Sequence, residues 1–177
     1  MIYYQQGDLI IRDLTWEDCM PIRNAEVAQG WHQSVQKYYD RMKDAERGKC
    51  IALAAVYAGE PVGYVNVYPD SEWGPLGGKG LPEIVDFGVL EKMRRRGIGS
   101  RLMDVAEKIA ARYADQVYLG VGLHEGYGSA QRMYVKRGYI PDGRGAWFQD
   151  GPARPYANYE LGDDLAIYLV KALKKDG

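Results

Sequence analysis

Arg94-Arg95-Arg96-Gly97-Ile98-Gly99-Ser100 is the segment whose residue types and spacing best suit chemistry on an anion. Glycines two apart let backbone amides turn inward and approach a ligand closely. A helix starting there adds outward N–H groups and partial positive charge. Three arginines supply fixed countercharge, and Ser100 a hydroxyl. Together these parts suit a pyrophosphate. A plainer reading stays open beside it, with 94–96 a solvated basic run and Gly97 and Gly99 ordinary turn glycines. Two other phosphate motifs are excluded by residue identity. No Gly-Lys-Ser/Thr follows, so this is not a P-loop, and Leu102 stands where a dinucleotide fingerprint needs glycine or alanine.

Periodicity shows the elements that must position this turn. Residues 83–90 read as a buried strand running into it. Residues 98–113 read as the helix leaving it, with Ile98, Leu102, Ala106, Ile109 and Tyr113 at helical spacing. Upstream, 9–12 reads as a strand and Thr15 as an N-cap, with Asp18 in the acidic first turn. Helical segments are expected over 17–46, broken near Gly30. Residues 50–57 and 62–68 read as a hairpin through Ala58-Gly59-Glu60-Pro61. Residues 70–80 hold four glycines and a proline and mark a mobile loop. Then come a strand at 116–123, a short helix at 129–136 stopped by Gly138, a strand from Tyr139 and a final strand at 165–173. This order makes an α/β (α+β) domain with a mixed, mostly antiparallel sheet flanked by helices.

Composition narrows the function classes. The 177 residues fit one domain, 1–177, with a sizeable core. A net charge of -1 gives no global electrostatic case for nucleic acid. No apolar run approaches the roughly 18 residues of a membrane span, so no membrane partner is expected. Residues 1–9 lack a basic region followed by an apolar one, so no secretion signal is expected and a cytoplasmic location is the default. Cys19 and Cys50 have neither metal-site nor redox spacing and read as reduced packing residues, with no metal implied. Fifteen tyrosines against two phenylalanines suit a wet cleft or an interface.

Arg94-x-x-Gly97-x-Gly99, with Val89 ahead of it and Leu102-Met103 after it, resembles a known signature. That signature is Gln/Arg-x-x-Gly-x-Gly/Ala of the GCN5-related N-acetyltransferase (GNAT) superfamily. The stretch from Tyr127 through Ser129, Ala130, Tyr134 and Gly138-Tyr139 is similar to the family's second motif. That motif is usually Asn, then Ala three on, Tyr four further, then Gly-Phe, and Tyr127 stands at the asparagine position. The resemblance covers about 50–140, the cofactor-binding core. It implies a single GNAT-like domain with splayed central strands, acetyl-CoA as co-substrate, and direct acetyl transfer to an amine. It implies cofactor contacts from Phe87, Val89, Arg94, Arg95, Arg96, Gly97, Ile98, Gly99, Ser100, Tyr127 and Ser129.

Direct transfer must deprotonate the acceptor, since an alkylammonium of pKa about 10.4 is no nucleophile. It must also stabilise an oxyanion and protonate a thiolate. Glu83-Ile84-Val85-Asp86-Phe87-Gly88-Val89 resembles the Glu-Ile-Val-x-x-x-Val of the histone-acetyltransferase branch, which implies Glu83 as general base through water. Alternation puts Glu83 and Val89 on one strand face, and Asp86 on the other, if no bulge intervenes. His124 is the reserve base. The second motif implies Tyr134 as the acid beside the sulfur. The amide near Val89 or Leu90 would meet the thioester oxygen, and Gly122 would mark where the neighbouring strand parts.

The N-terminal helices, the 70–80 loop and the tail after Asp142 are expected to shape the acceptor site. They carry Trp31, His32, Tyr38, Tyr39, Trp73, Trp147, Phe148 and Tyr156, with Asp70, Glu72 and Asp150. Aromatics and carboxylates suit a cationic amine, and the same aromatics equally suit a homodimer contact. The expected acceptor is the primary amine of a small molecule. The alternatives are a protein Nα- or lysine-acetyltransferase, or a non-catalytic acyl-CoA-binding sensor.

Overall fold

Asp18 ties the first strands to the first helix. The computed structural model describes residues 1–174. β1 (Ile2–Gln6) and β2 (Leu9–Asp13) pair antiparallel, and α1 (Trp16–Ala28) follows. Thr15 is extended at the N-cap, and its N and Oγ1 donate to Asp18 Oδ2 at 2.9 and 3.0 Å. Arg12 closes a fork on the same carboxylate, at 2.6 and 2.9 Å. α2 (Val35–Glu46) starts at Ser34, whose hydroxyl accepts from Gln36 N at 3.2 Å. The expected break near Gly30 is the connection between the two helices. β1 was not foreseen, because Ile2-Tyr3-Tyr4-Gln5-Gln6 has no buried residue and so no apolar alternation.

The described residues gather into two compact units, 1–68 with 84–109, and 69–83 with 110–174. In the first, β3 (Ile51–Tyr57) and β4 (Glu60–Tyr68) form the expected hairpin, and β5 (Glu83–Val89) follows β4 in the order β1-β2-β3-β4-β5. α1 and α2 cover one face of these strands. Cys19, Ile22, Tyr38 and Met42 pack there with Ala52, Ala54, Tyr64 and Tyr68. Both cysteines are free and buried, as their isolated spacing suggested. α3 (Ile98–Ala110) buries Ile98, Leu102, Ala106 and Ile109. It ends before Tyr113, whose N–H bonds back to Ala110 O at 2.9 Å in a tight final turn, leaving that ring exposed.

In the second unit the strand order is β6-β9-β7-β8, for β6 (Gln116–Gly122), β7 (Ile140–Phe148), β8 (Gly151–Pro152) and β9 (Leu165–Ala172). Its pairings are antiparallel, and a parallel one registers Glu83 on Tyr118. α4 (Gly128–Lys136) ends at Gly138, φ +93°. Gly138 N bonds Val135 O and Tyr139 N bonds Tyr134 O, both at 3.0 Å. This left-handed cap brings the Tyr139 ring to 5.7 Å from that of Tyr134. The fold class is therefore as expected, α/β with a mixed, mostly antiparallel sheet.

Burial alone would raise the Asp18 carboxyl, but the Arg12 fork and the Thr15 bonds outweigh it and hold it below its ordinary value. The ion pair and cap therefore stabilise the fold above the unfolded value near pH 4, and that stability is lost as pH falls through the lower folded value. We expect Asp18→Ala to cost about 1–2 kcal/mol at pH 7, the scale of a lost cap. Urea titrations at pH 7 and pH 3 check this, and the gap from the parent protein should narrow at the lower pH.

Candidate active site

The phosphate turn follows from how β5 ends. Leu90 N bonds Val62 O at 2.9 Å, and a single 3-10 turn, Glu91–Met93, buries Met93. Arg94 is extended, while Arg95 and Gly97 are left-handed, with φ of +61° and +75°. That combination reverses the chain into α3, whose first helical bond is Arg101 N to Gly97 O at 3.0 Å. The side chain of Ile98 is buried, so what this position offers a ligand is backbone. A Cβ on Gly99 would stand 3.1 Å from Phe87 Cζ and 3.6 Å from Val89 Cγ2. The glycine thus lets the first turn of α3 lie against Phe87 and Val89.

Arg94 lies over the Trp31 ring at 5.8 Å, and Arg96 over the Tyr57 ring at 5.6 Å. No carboxylate pairs with Arg94, Arg95 or Arg96 among the described residues. Ser100 is exposed in the first turn. Exposed guanidinium groups without acidic partners around a helix start suit an anion such as a pyrophosphate.

Inside β5, Asp86 has φ +59°. A left-handed residue within a strand is a bulge, and it resets the alternation. Val85 packs on the cluster beneath α1 and α2. Asp86 turns the same way, accepting from Arg41 Nε at 2.7 Å and Asn66 Nδ2 at 3.0 Å. A Cβ on Gly88 would face Trp31 Cζ3 at 3.5 Å and Glu26 Oε1 at 3.6 Å. Phe87 and Val89 take the other face, toward Gly99. The expectation that Glu83 and Val89 share a face, with Asp86 opposite, is thereby corrected. The bulge sits at Asp86 and joins the Glu83 and Val85 side to Asp86 and Gly88.

The face that carries Asp86 and Gly88 meets a polar network that the sequence reading missed. Glu26 is buried, and Tyr38 OH donates to its Oε2. Burial raises the Glu26 carboxyl, with Asp86 adding to the rise and Tyr38 and Lys37 opposing it. Asn66 is fully buried, and its Nδ2 also donates to Tyr64 OH at 2.7 Å. Arg41 NH1 donates to Tyr68 OH at 3.0 Å, and Tyr68 donates to Asp44 at 2.7 Å. One signal for Glu26 was present. It follows Cys19 and Ile22 at core spacing on α1, so a carboxylate occupies an apolar stripe.

In the second unit, Glu83 is buried and its Oε2 accepts from Ser71 Oγ at 2.5 Å. The 70–80 loop is anchored: Gly78 N bonds Ser71 O at 2.8 Å, and Tyr118 OH donates to Trp73 O at 2.8 Å. Tyr134 is buried, and burial raises its phenol, so it keeps its proton well past neutrality. A Cβ on Gly122 would lie 2.3 Å from Tyr127 Cε2, so ring packing explains that glycine. Tyr127 OH donates to Asp163 at 2.7 Å, and Ser129 is exposed in the first turn of α4. His124 Nδ1 accepts from Gly126 N at 3.0 Å, and its Nε2 lies 3.3 Å from Asp163. Both ring nitrogens are therefore engaged.

Within each unit the aromatics expected at the acceptor site have their own surroundings. Tyr38 is core, and Tyr39 stacks obliquely on Trp16 at 5.5 Å. Phe148 lies 4.9 Å from Tyr159, and Tyr156 is fully exposed. Trp31 and His32 line an open cleft of about 510 Å³ with Arg23, Val27, Gln33, Ser34 and Val35. Burial pushes the Cys19 and Cys50 thiols up to about 11, which suits packing and not a covalent nucleophile. Among the described residues no group of His, Cys, Asp and Glu could hold a metal ion, and no helix is long and apolar enough to cross a membrane.

Comparison with known proteins bears directly on these features. The model of the acetyltransferase (GNAT) family matches residues 11–139. An N-alpha-acetyltransferase of Sulfurisphaera tokodaii is 30% identical over 131 residues, 65% of this chain and 77% of that protein. Ard1 from Thermoplasma volcanium superposes with a TM-score of 0.70 at 19% identity, covering 95% of this chain and 99% of its own. The yncA protein of Salmonella typhimurium, solved with its cofactor acetyl-CoA, gives 0.67 at 15% identity and 96% of both chains. The phosphate turn, the bulged strand before it and the Tyr134 helix all fall within the matched residues. The chain belongs to the acetyltransferase (GNAT) family.

Proposed function

We propose that this chain is an Nα-acetyltransferase whose acceptor is the free α-amine of a protein or peptide. The observation that carries this reading is the 30% identity to the Sulfurisphaera N-alpha-acetyltransferase, over most of that protein. The cleft beside Trp31 supports it, being open and so suited to an extended chain. The acceptor expected from the aromatic residues was a small-molecule amine, and the present reading rests instead on that relative.

In this reading the amides of α3's first turn hold the pyrophosphate, with Arg94, Arg95, Arg96 and Ser100 around it. Phe87 and Val89 set the height of the turn. Tyr127 and Ser129 serve the donor from the second motif. Acetyl-CoA supplies the thioester acetyl group. Glu83 removes a proton from the acceptor through water, and Ser71 fixes the carboxylate that does so. Tyr134, held protonated by burial, gives a proton to the departing thiolate.

A thiol-release assay across hexapeptides varied at the first two positions, beside polyamines and free amino acids, tests the acceptor. We expect turnover with a subset of free peptides and none with their Nα-blocked forms. Higher kcat/KM for a small amine than for every peptide would overturn the reading. Glu83→Gln should lower kcat about 100-fold below pH 7, with a smaller deficit at pH 9, where more of the amine is already neutral. An unchanged pH–rate profile removes the base role. Tyr134→Phe should slow turnover about tenfold or more while acetyl-CoA affinity holds, and full activity removes the acid role.

A further inference from the structure

Tyr168 is a phenol that the roles above leave unused, and every group around it belongs to the second compact unit. It stands on β9 opposite Gly120 of β6. Alternation along β6 puts it on the face that carries Tyr118, whose ring lies 6.2 Å away. Glu83 registers on Tyr118, so its carboxylate shares that face. Two glycines make room for the hydroxyl end of the Tyr168 ring. A Cβ on Gly74 would stand 2.5 Å from Cε1 and 2.8 Å from the hydroxyl oxygen, and one on Gly120 would stand 3.1 and 3.5 Å from the same atoms. A glycine inside a strand marks such a close approach. On the other side of β9, β7 pairs Pro141 with Leu169 and Ala146 with Ile167, so residues 142–145 bulge out opposite Tyr168. The Asp142 side chain is tucked in there, only 3% exposed. It accepts from Arg144 N at 2.9 Å, and from the more exposed Arg144 guanidinium at 3.1 Å.

The hydroxyl is the unspent group of this arrangement. Tyr168 is half-buried, its oxygen is open to solvent, and it makes no hydrogen bond among the described residues. Burial, then the charges of Glu83 and Asp142, push this phenol up to about 12. It therefore keeps its proton at neutral pH, with lone pairs to offer an N–H and an O–H to offer a carbonyl. The field that opposes a phenolate here favours a cation.

We infer that the Tyr168 hydroxyl accepts a hydrogen bond from the acceptor's α-ammonium, in the field of the Glu83 and Asp142 carboxylates. This deepens the Nα-acetyltransferase reading and rests on it for the identity of the amine. The ligand touches the phenol alone. The two buried carboxylates act by charge and keep their bonds to Ser71 and Arg144. A blocked terminus carries no charge for that field to hold, so the site selects free termini. The amine held there lies on the sheet face of Glu83, the base that deprotonates it in the reading above.

The test is calorimetric binding, without acetyl-CoA, of the free and Nα-formyl forms of each hexapeptide in the acceptor panel. The parent protein should bind at least one free form about tenfold tighter than its formyl form. Tyr168→Phe keeps the ring in its glycine slot and breaks no hydrogen bond, so a merely structural residue would not respond. It should lose that preference of about tenfold, while its acetyl-CoA affinity and Tm hold. Asp142→Asn, which can still accept from Arg144 N, should weaken the preference about threefold. A parent without the preference, or either variant retaining it in full, overturns the inference. If free peptides bind in this Tyr168-dependent way yet no thiol is released, the transfer reading fails and the subsite stands. If Tyr168→Phe acetylates free peptides at the parent kcat/KM, the subsite fails and transfer stands.

Discussion

One left-handed residue, Asp86, decides which way every later side chain of β5 points. A non-glycine residue in this region costs on the order of 1 kcal/mol, and aspartate tolerates it better than most. Here the conformation is held by charge-assisted bonds from Arg41 and a buried amide from Asn66. Without the bulge, strict alternation would turn Gly88 toward α3 and Val89 toward α1. With it, Val89 and Phe87 reach Gly99 in the phosphate turn, and Gly88 exposes bare backbone to Glu26. The contacts on the two faces of the strand are thus separated by one backbone torsion.

The network that holds Asp86 is expensive in isolation and stable only as a set. Arg41 and Asp86 are each about one-fifth exposed, so both lose much of their hydration. A pair like this repays its desolvation only when remaining lone pairs and N–H groups are also met. Tyr68, Asp44, Asn66 and Tyr64 meet most of them. Asn66 Oδ1 is the exception, and it lies where the network approaches the strand that leads to the phosphate turn. In a native interior such exceptions are few and call for a physical reason.

Local pattern made the turn and the helix cap legible. Glycine spacing, the arginine run and the Ala130–Tyr134–Gly138 spacing each report backbone geometry, which a sequence encodes within a few residues. The left-handed cap at Gly138 and the reversal at Gly97 match that reading. What escaped depends on distant pairs. Arg41 and Asp86 are 45 residues apart, so the bulge they stabilise has no local signature. Tyr38 looked like a wet-cleft aromatic, but it is core because Glu26, 12 residues away, takes its hydroxyl. Gly122 looked like a break in a ladder. It is the space that the Tyr127 ring needs.

The arginines of the turn and its backbone differ in what holds them in place. A guanidinium resting on an exposed ring gains about 0.5–1 kcal/mol, far less than a charge-assisted bond to phosphate. Arg94 and Arg96 are therefore stored on Trp31 and Tyr57 at little cost and can leave for an anion. The backbone cannot leave. Its reversal through Arg95 and Gly97 is built into the turn, and Ile98 is buried as the plug that fixes the helix start. A fixed backbone and mobile guanidinium groups thus meet at one helix start. Trp31 touches both sides of this arrangement, lying under Arg94 and against the Gly88 face that carries Glu26. One indole thus borders the arginine turn and the buried Glu26, all within the first compact unit.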